Sequence, residues 1–235
     1  MMFIPLGVLA GVLTTVAGMG GGILLQLALA LAVGPRMALA ITAPALLIGN
    51  LHRAIVYRDK IDPRVGRAFA IGALPGSVLG GLAAVSMPVW VIHALMLGMT
   101  ALAILRATGR WSWSPSSRQI VPAAAGIGAI SATSGGAGLL VSPVMMAAGL
   151  TGERYVATTA VAAVAMHVGR LTAYCAGGLV TRETLTLGAM LTLAILAGNT
   201  LGTQVRKRLP ESAGRRIELG TLCVCVTLAL VGAAH

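Results

Sequence analysis

Long apolar runs alternate along the chain with short connectors that are mostly basic. The runs cover residues 3–33, 37–57, 68–85, 89–105, 119–150, 155–176, 184–204 and 217–233. A helix needs ~20 residues to cross a hydrocarbon core of about 30 Å, so all but the first and fifth have roughly the length of one crossing. Those two are longer, and glycines interrupt both. Gly18, Met19, Gly20, Gly21 and Gly22 divide the first run into pieces of about 15 and about 11 residues, each too short to span at 1.5 Å per residue. Ser134, Gly135, Gly136, Ala137 and Gly138 divide the fifth in the same way. The pattern predicts a broken helix or re-entrant hairpin in each place, interrupted about midway through the membrane.

The two interruptions belong to an internal repeat. A shift of 116 aligns Gly20 with Gly136, Gly22 with Gly138, and Ile23-Leu24 with Leu139-Leu140. A shift of 117 aligns Ala40-Ile41-Thr42 with Ala157-Thr158-Thr159, Asn50 with His167, Arg53 with Arg170, and Tyr57 with Tyr174. Past one longer loop, a shift of 122 aligns Pro75–Gly80 with Ala197–Gly202. The chain therefore divides into a first transmembrane repeat (1–106), a cytoplasmic linker (107–118) and a second transmembrane repeat (119–235).

Charge placement orients the copies. The connector 58–67 is basic and the next, Ser86-Met87-Pro88, is uncharged; in the second copy the corresponding connectors carry Arg182 alone and then Arg206, Lys207, Arg208, Arg215 and Arg216. Lys and Arg are retained on the cytoplasmic side, so the swap predicts copies of inverted topology. That requires an odd number of crossings per copy. The expected fold is an all-α polytopic membrane protein of two inverted repeats. Each holds one glycine-broken or re-entrant element plus three spanning helices, with both termini outside.

Composition narrows the class. With 57% hydrophobic and 10% charged residues, the chain reads as a multi-pass protein of the cell membrane, the cytoplasmic or inner one. The first run has no basic start and no small-residue exit, so it reads as part of the fold rather than a signal peptide. The formal charge of +11 lies mostly in the connectors, which points to the membrane rather than to nucleic acid. Cys175, Cys223 and Cys225 lie in apolar runs and suggest neither a disulfide framework nor a metal site. Nothing in the chain calls for a cofactor.

Interrupted helices at matched positions are the design of secondary transporters, which bind substrate between the repeats. At a break, backbone N–H groups lack helical partners and the positive helix end faces the gap, which favours an anion. Gly20, Gly21 and Gly22 form one such cradle, and Gly136 with Gly138 the other; close helix packing is the alternative role for these glycines. Arg53 and Arg170 are matched cations inside apolar runs. They are expected either to wall an anion pathway, since an intramembrane charge avoids lipid, or to snorkel to the interface. Thr42, Thr159, Asn50, His167 and Ser134 extend the candidate site. His167 is the candidate for proton coupling, because imidazole titrates near neutrality.

The Gly-x-Gly-Gly-Gly-x-Leu cluster at Gly18–Leu24, its variant at Ser134–Leu140 and the Ala-x-Thr of each copy resemble the sulfite exporter TauE/SafE family over essentially the whole chain. The resemblance implies a permease for a small sulfur-containing anion, sulfite or an organosulfonate, often working outward. Two other readings are carried forward. Ser134 near a glycine-rich turn with His167 on another helix has the elements of an intramembrane serine protease. A passive anion channel is the other.

Overall fold

The computed structural model describes residues 3–17, 21–136, 138–209 and 211–234. Over these residues the chain is helical, without strands. Helix α1 (Phe3–Ala17) and α2 (Gly21–Val33) lead into α3 (Pro35–Val56), α4 (Pro63–Ser86) and α5 (Val89–Ala107). After the linker come α6 (Ile120–Ser134), α7 (Gly138–Ala147), α8 (Gly152–Ala176), α9 (Arg182–Arg206) and α10 (Glu211–Ala234). Gly18, Met19, Gly20 and Ala137 lie outside the described residues.

The helix ends follow from local chemistry. Proline stands at the first turn of α3 and of α4, where its missing N–H costs nothing. Asp62 caps α4 by accepting the N–H groups of Arg64 and Val65, each at 3.0 Å. Helix α6 ends where Gly135 turns left-handed at φ 79°, a conformation glycine adopts without a Cβ penalty. The break after α6 thus falls within the predicted cluster.

Five helices, α3, α4, α5, α8 and α9, are long and apolar enough to cross a membrane. The sixth expected crossing corresponds to α10, whose apolar stretch among the described residues is the shorter Gly220–Gly232. Both glycine-interrupted runs are pairs of short helices, α1 with α2 and α6 with α7. In the first pair the chain doubles back. A Cβ on Gly21 would collide with the Ala10 carbonyl and with Thr14, although in one straight helix residues 10 and 21 would stand about 16 Å apart.

Each broken element is fastened to a long helix of the other half. Gly72, Gly76 and Gly80 on α4 lie against the backbone of Val121, Ala125 and Ala129 on α6, so the two run in the same direction. Gly7 and Gly11 on α1 lie against α9, whose Gly198 and Gly202 answer them through Val8 and Val12. Small residues four apart let membrane helices approach this closely, where dispersion and backbone contacts replace the absent hydrophobic drive. Helices α3 and α8 pack on each other at the centre, and also on α9 and α4 respectively.

Ion pairs and hydrogen bonds locate the connectors. Asp62 pairs with Arg154 at 2.7 Å and Lys60 with Glu153 at 3.7 Å, placing the start of α8 beside the connector after α3. The half-buried Asp62 carboxyl is held below the ordinary range chiefly by the Val65 N–H; burial opposes this in part, and the Arg64 N–H and Arg154 add to the lowering. Arg206, at the end of α9, donates to the Thr15 carbonyl at 3.1 Å, so α1 approaches this same basic end before it breaks. At the other end Arg36 donates to the Met87 carbonyl at 2.6 Å, tying the start of α3 to the turn between α4 and α5.

Candidate functional site

Helices α3 and α8 each turn one face toward a shared cavity of about 110 Å³. On α3 the face is Leu46, Asn50 and Arg53; on α8 it is Thr159, Ala163, His167 and Arg170. Both sets follow the helical spacing of three or four residues that stacks side chains on one side. The breaks complete the wall with Gly22, Ile23 and Gln26 from α2, and with Gly135, Gly136 and Gly138 around the start of α7. The volume suits a few waters or one small oxyanion, a liquid water taking about 30 Å³.

Arg170 is 1% exposed. Its Nη2 donates to the Leu39 carbonyl and to Thr42 Oγ1, both at 2.9 Å, and its guanidinium lies 5.5 Å from the centre of the Tyr174 ring. The proton of Thr42 is shared between Gln26 Oε1 at 2.7 Å and the Ala38 carbonyl at 2.8 Å. This chain of contacts closes one end of the cavity and aligns the Gln26 amide with its oxygen toward Thr42. Of the two roles expected for Arg170, snorkelling to the interface is excluded by this burial.

The other end is open. Arg53 is half-buried and donates to Asn50 Oδ1, while Asn50 in turn donates to the Leu46 carbonyl at 2.7 Å. Arg53, Thr159 and Thr14 line both the cavity and a larger vestibule of about 370 Å³. The vestibule reaches the basic end through Tyr57, Arg206 and Lys207. Anions arriving there meet a positive rim, which raises their local concentration.

The wall is short of hydrogen-bond partners. Buried side-chain atoms without a partner among the described residues include Gln26 Nε2, Arg53 Nε, Thr159 Oγ1, His167 Nδ1 and Arg170 Nε, and all five residues line this cavity. An arginine Nε and an amide nitrogen can only donate. Unmet buried donors are costly in a folded protein, and gathered around one cavity they are matched to a negatively charged ligand.

Of the residues singled out in the sequence, Gly22, Asn50, Arg53, Gly136, Gly138, Thr159, His167 and Arg170 are brought together on this wall. Three are not. Gly21 packs against α1; Thr42 stands behind the wall as the partner of Arg170 and Gln26; and Ser134 is buried, donating to the Ile130 carbonyl of its own helix at 2.9 Å. A nucleophile activated by His167 would donate to the imidazole instead, so the protease arrangement is not assembled. Gln26, Ser131 and Thr14 are wall residues that the sequence reading missed. Gln26 was detectable in principle, as the one amide in the otherwise apolar run Gly21–Val33.

The model of the family described as Sulfite exporter TauE/SafE matches residues 3–230. The chain belongs to the TauE/SafE family. It is accordingly an integral membrane protein and a transporter of sulfite or a related anion. Comparison with curated proteins and with solved structures found no match.

Proposed function

We propose that this TauE/SafE protein is a secondary transporter of the cytoplasmic membrane, moving a small sulfur oxyanion or organosulfonate by alternating access between two inverted repeats. The observation that carries the reading is the single cavity walled by five side chains with unmet polar atoms, two of them guanidinium groups. Guanidinium binds oxyanions through a fixed fork of donors. Gln26 and Thr159 add neutral donors, and Gly22, Gly136 and Gly138 let the ligand approach the main chain. The small volume favours sulfite and short sulfonates over bulky aryl sulfonates.

The repeat reading, with its halves at 1–106 and 119–235, is supported by exchange in the packing. The pairing of α6 with α4 is matched by that of α1 with α9, α4 with α8 by α9 with α3, and α3 meets its counterpart α8. These are the contacts expected of inverted copies around a common axis. His167 is the group assigned to proton coupling, since it lies on the wall and carries an imidazole.

The test is initial-rate uptake into vesicles holding the purified protein, with sulfite, sulfate, thiosulfate and short sulfonates, each with and without a pH gradient. Saturable flux that responds to the gradient is expected. Flux that never saturates and ignores the gradient would identify a channel, and the absence of flux for every anion would overturn the reading.

A further inference from the structure

The two ends of the cavity are built from matched residues and yet are in different states. At one end Arg170 holds Thr42 and the Leu39 carbonyl. A shift of 117 turns Arg170 into Arg53, Thr42 into Thr159 and Leu39 into Val156. At that second end Thr159 Oγ1 has no partner, and Val156 lines the open vestibule together with Arg53 and Thr159. One latch is made, and the residues for its counterpart are present but apart.

We propose that Arg53, Thr159 and the Val156 carbonyl form a second latch, equivalent to Arg170, Thr42 and the Leu39 carbonyl, and that the two latches close in turn. The structure is then the state open toward the basic connectors. In the opposite state Arg53 Nη2 donates to Thr159 Oγ1 and to the Val156 carbonyl, the vestibule collapses, and Arg170 releases Thr42. Both arginines line the cavity, and the Nε of each is buried without a partner, so a side chain whose Nη edge makes or breaks the latch also has a donor left to meet the anion. An anion can favour the exchange only through its different contacts in the two states, and the freeing of Thr42 and Gln26 supplies such a difference.

This inference rests on the transport reading, but its test needs no substrate. Cys175, Cys223 and Cys225 are free thiols; all three are replaced by alanine, and Thr203, on the vestibule wall, is replaced by cysteine. The rate of modification by a membrane-impermeant thiol reagent is then measured from the basic side. Thr42→Ala weakens the closed latch by one hydrogen bond to a charged group, worth at least about tenfold in the equilibrium between states. It is expected to slow labelling, by a factor that approaches the full equilibrium shift as the closed state gains in the parent, because the accessible state loses population. Thr159→Ala should leave labelling as fast as in the parent or faster. The double variant should return toward the parent rate, and Thr42→Ser, which keeps the hydroxyl, should behave as the parent. Labelling that is unchanged in Thr42→Ala, or that is equally slow in the double variant and in Thr42→Ala, overturns the proposal. Either result would leave the uptake measurements untouched, and absent uptake would leave the labelling result readable.

Discussion

Replacing Gln26 with leucine removes a wall amide whose nitrogen is unpartnered, while keeping a side chain of similar size. Gln26 lines the cavity and is 1% exposed, its Oε1 is engaged by Thr42 at 2.7 Å, and its Nε2 is buried without a partner. If that N–H donates to the bound anion, the lost bond is one to a charged acceptor, worth about 1.5–3 kcal/mol. This corresponds to a roughly 10- to 150-fold loss of affinity. The lost Thr42 contact is a neutral bond worth about 1 kcal/mol, and it bears on stability instead. The two effects separate in a paired measurement: KM and kcat for sulfite uptake from initial rates in vesicles, and Tm of the purified protein. A KM raised at least tenfold is expected, with a Tm lowered by only a few degrees. Gln26→Glu sharpens the test, because a carboxylate about 4 Å from the anion opposes it by roughly 4 kcal/mol at an effective dielectric near 20. Its uptake should fall below a hundredth of the parent's. A KM for Gln26→Leu within twofold of the parent's would refute the assignment and make Gln26 a packing residue.

Arg53→Ala and Arg170→Ala should each lower uptake at least tenfold, with the Arg170 variant also less thermostable because it loses the bonds to the Leu39 carbonyl and Thr42; normal uptake by both would show that neither contacts the anion. Gly76→Val should destabilise the protein by ~1–3 kcal/mol, the cost of overpacking a tight contact, since even a Cβ there collides with Ala125. Gly98→Ala meets nothing within 4 Å and should leave Tm unchanged in the same thermal melts. His167→Gln should abolish the response of uptake to an imposed pH gradient while leaving exchange at equal pH, measured with labelled sulfite on both sides. Asp62→Ala should cost about 1 kcal/mol through the lost helix cap. Because the folded-state pKa of Asp62 is depressed, its stabilising effect is present above the ordinary aspartate value of 3.8 and is lost as pH falls from there through the depressed value. The Tm difference between Asp62→Ala and its parent should therefore shrink in acid.

Apolar runs and glycine clusters made the helices and their interruptions readable in advance, because both report on the backbone and the bilayer rather than on particular contacts. The halves of about 15 and 11 residues expected around the first break correspond to helices of 15 and 13 residues. The matched arginines pointed to the wall because a charge inside an apolar run has few places to go. The errors concern which face of a helix looks inward. Thr42 and Ser134 are polar and correctly placed along their helices, yet one braces the wall from behind and the other bonds to its own carbonyl. A hydroxyl can satisfy itself on its own helix, so its presence says little about direction. Gln26 and Thr14 were missed because one polar residue in an apolar run sets no period. The difference between the Arg53 and Arg170 ends is conformational, and aligned sequence copies carry no record of which state the chain rests in.

The interleaving of α1 with α9, and of α6 with α4, has a consequence for mechanics. Backbone-to-backbone seams of glycine slide poorly, so under the proposed alternating access the pieces that travel relative to one another would not be the N-terminal and C-terminal stretches of the polypeptide. One body gathers α1, α3 and α9, the other α4, α6 and α8, and each borrows members from both stretches. On the proposed alternating-access reading, the surface that would rock is where α3 packs on α8, the same surface that carries both arginines. A fragment ending at the linker would take α1 away from its bed on α9 and leave α4 without α6, so neither fragment retains a complete moving part.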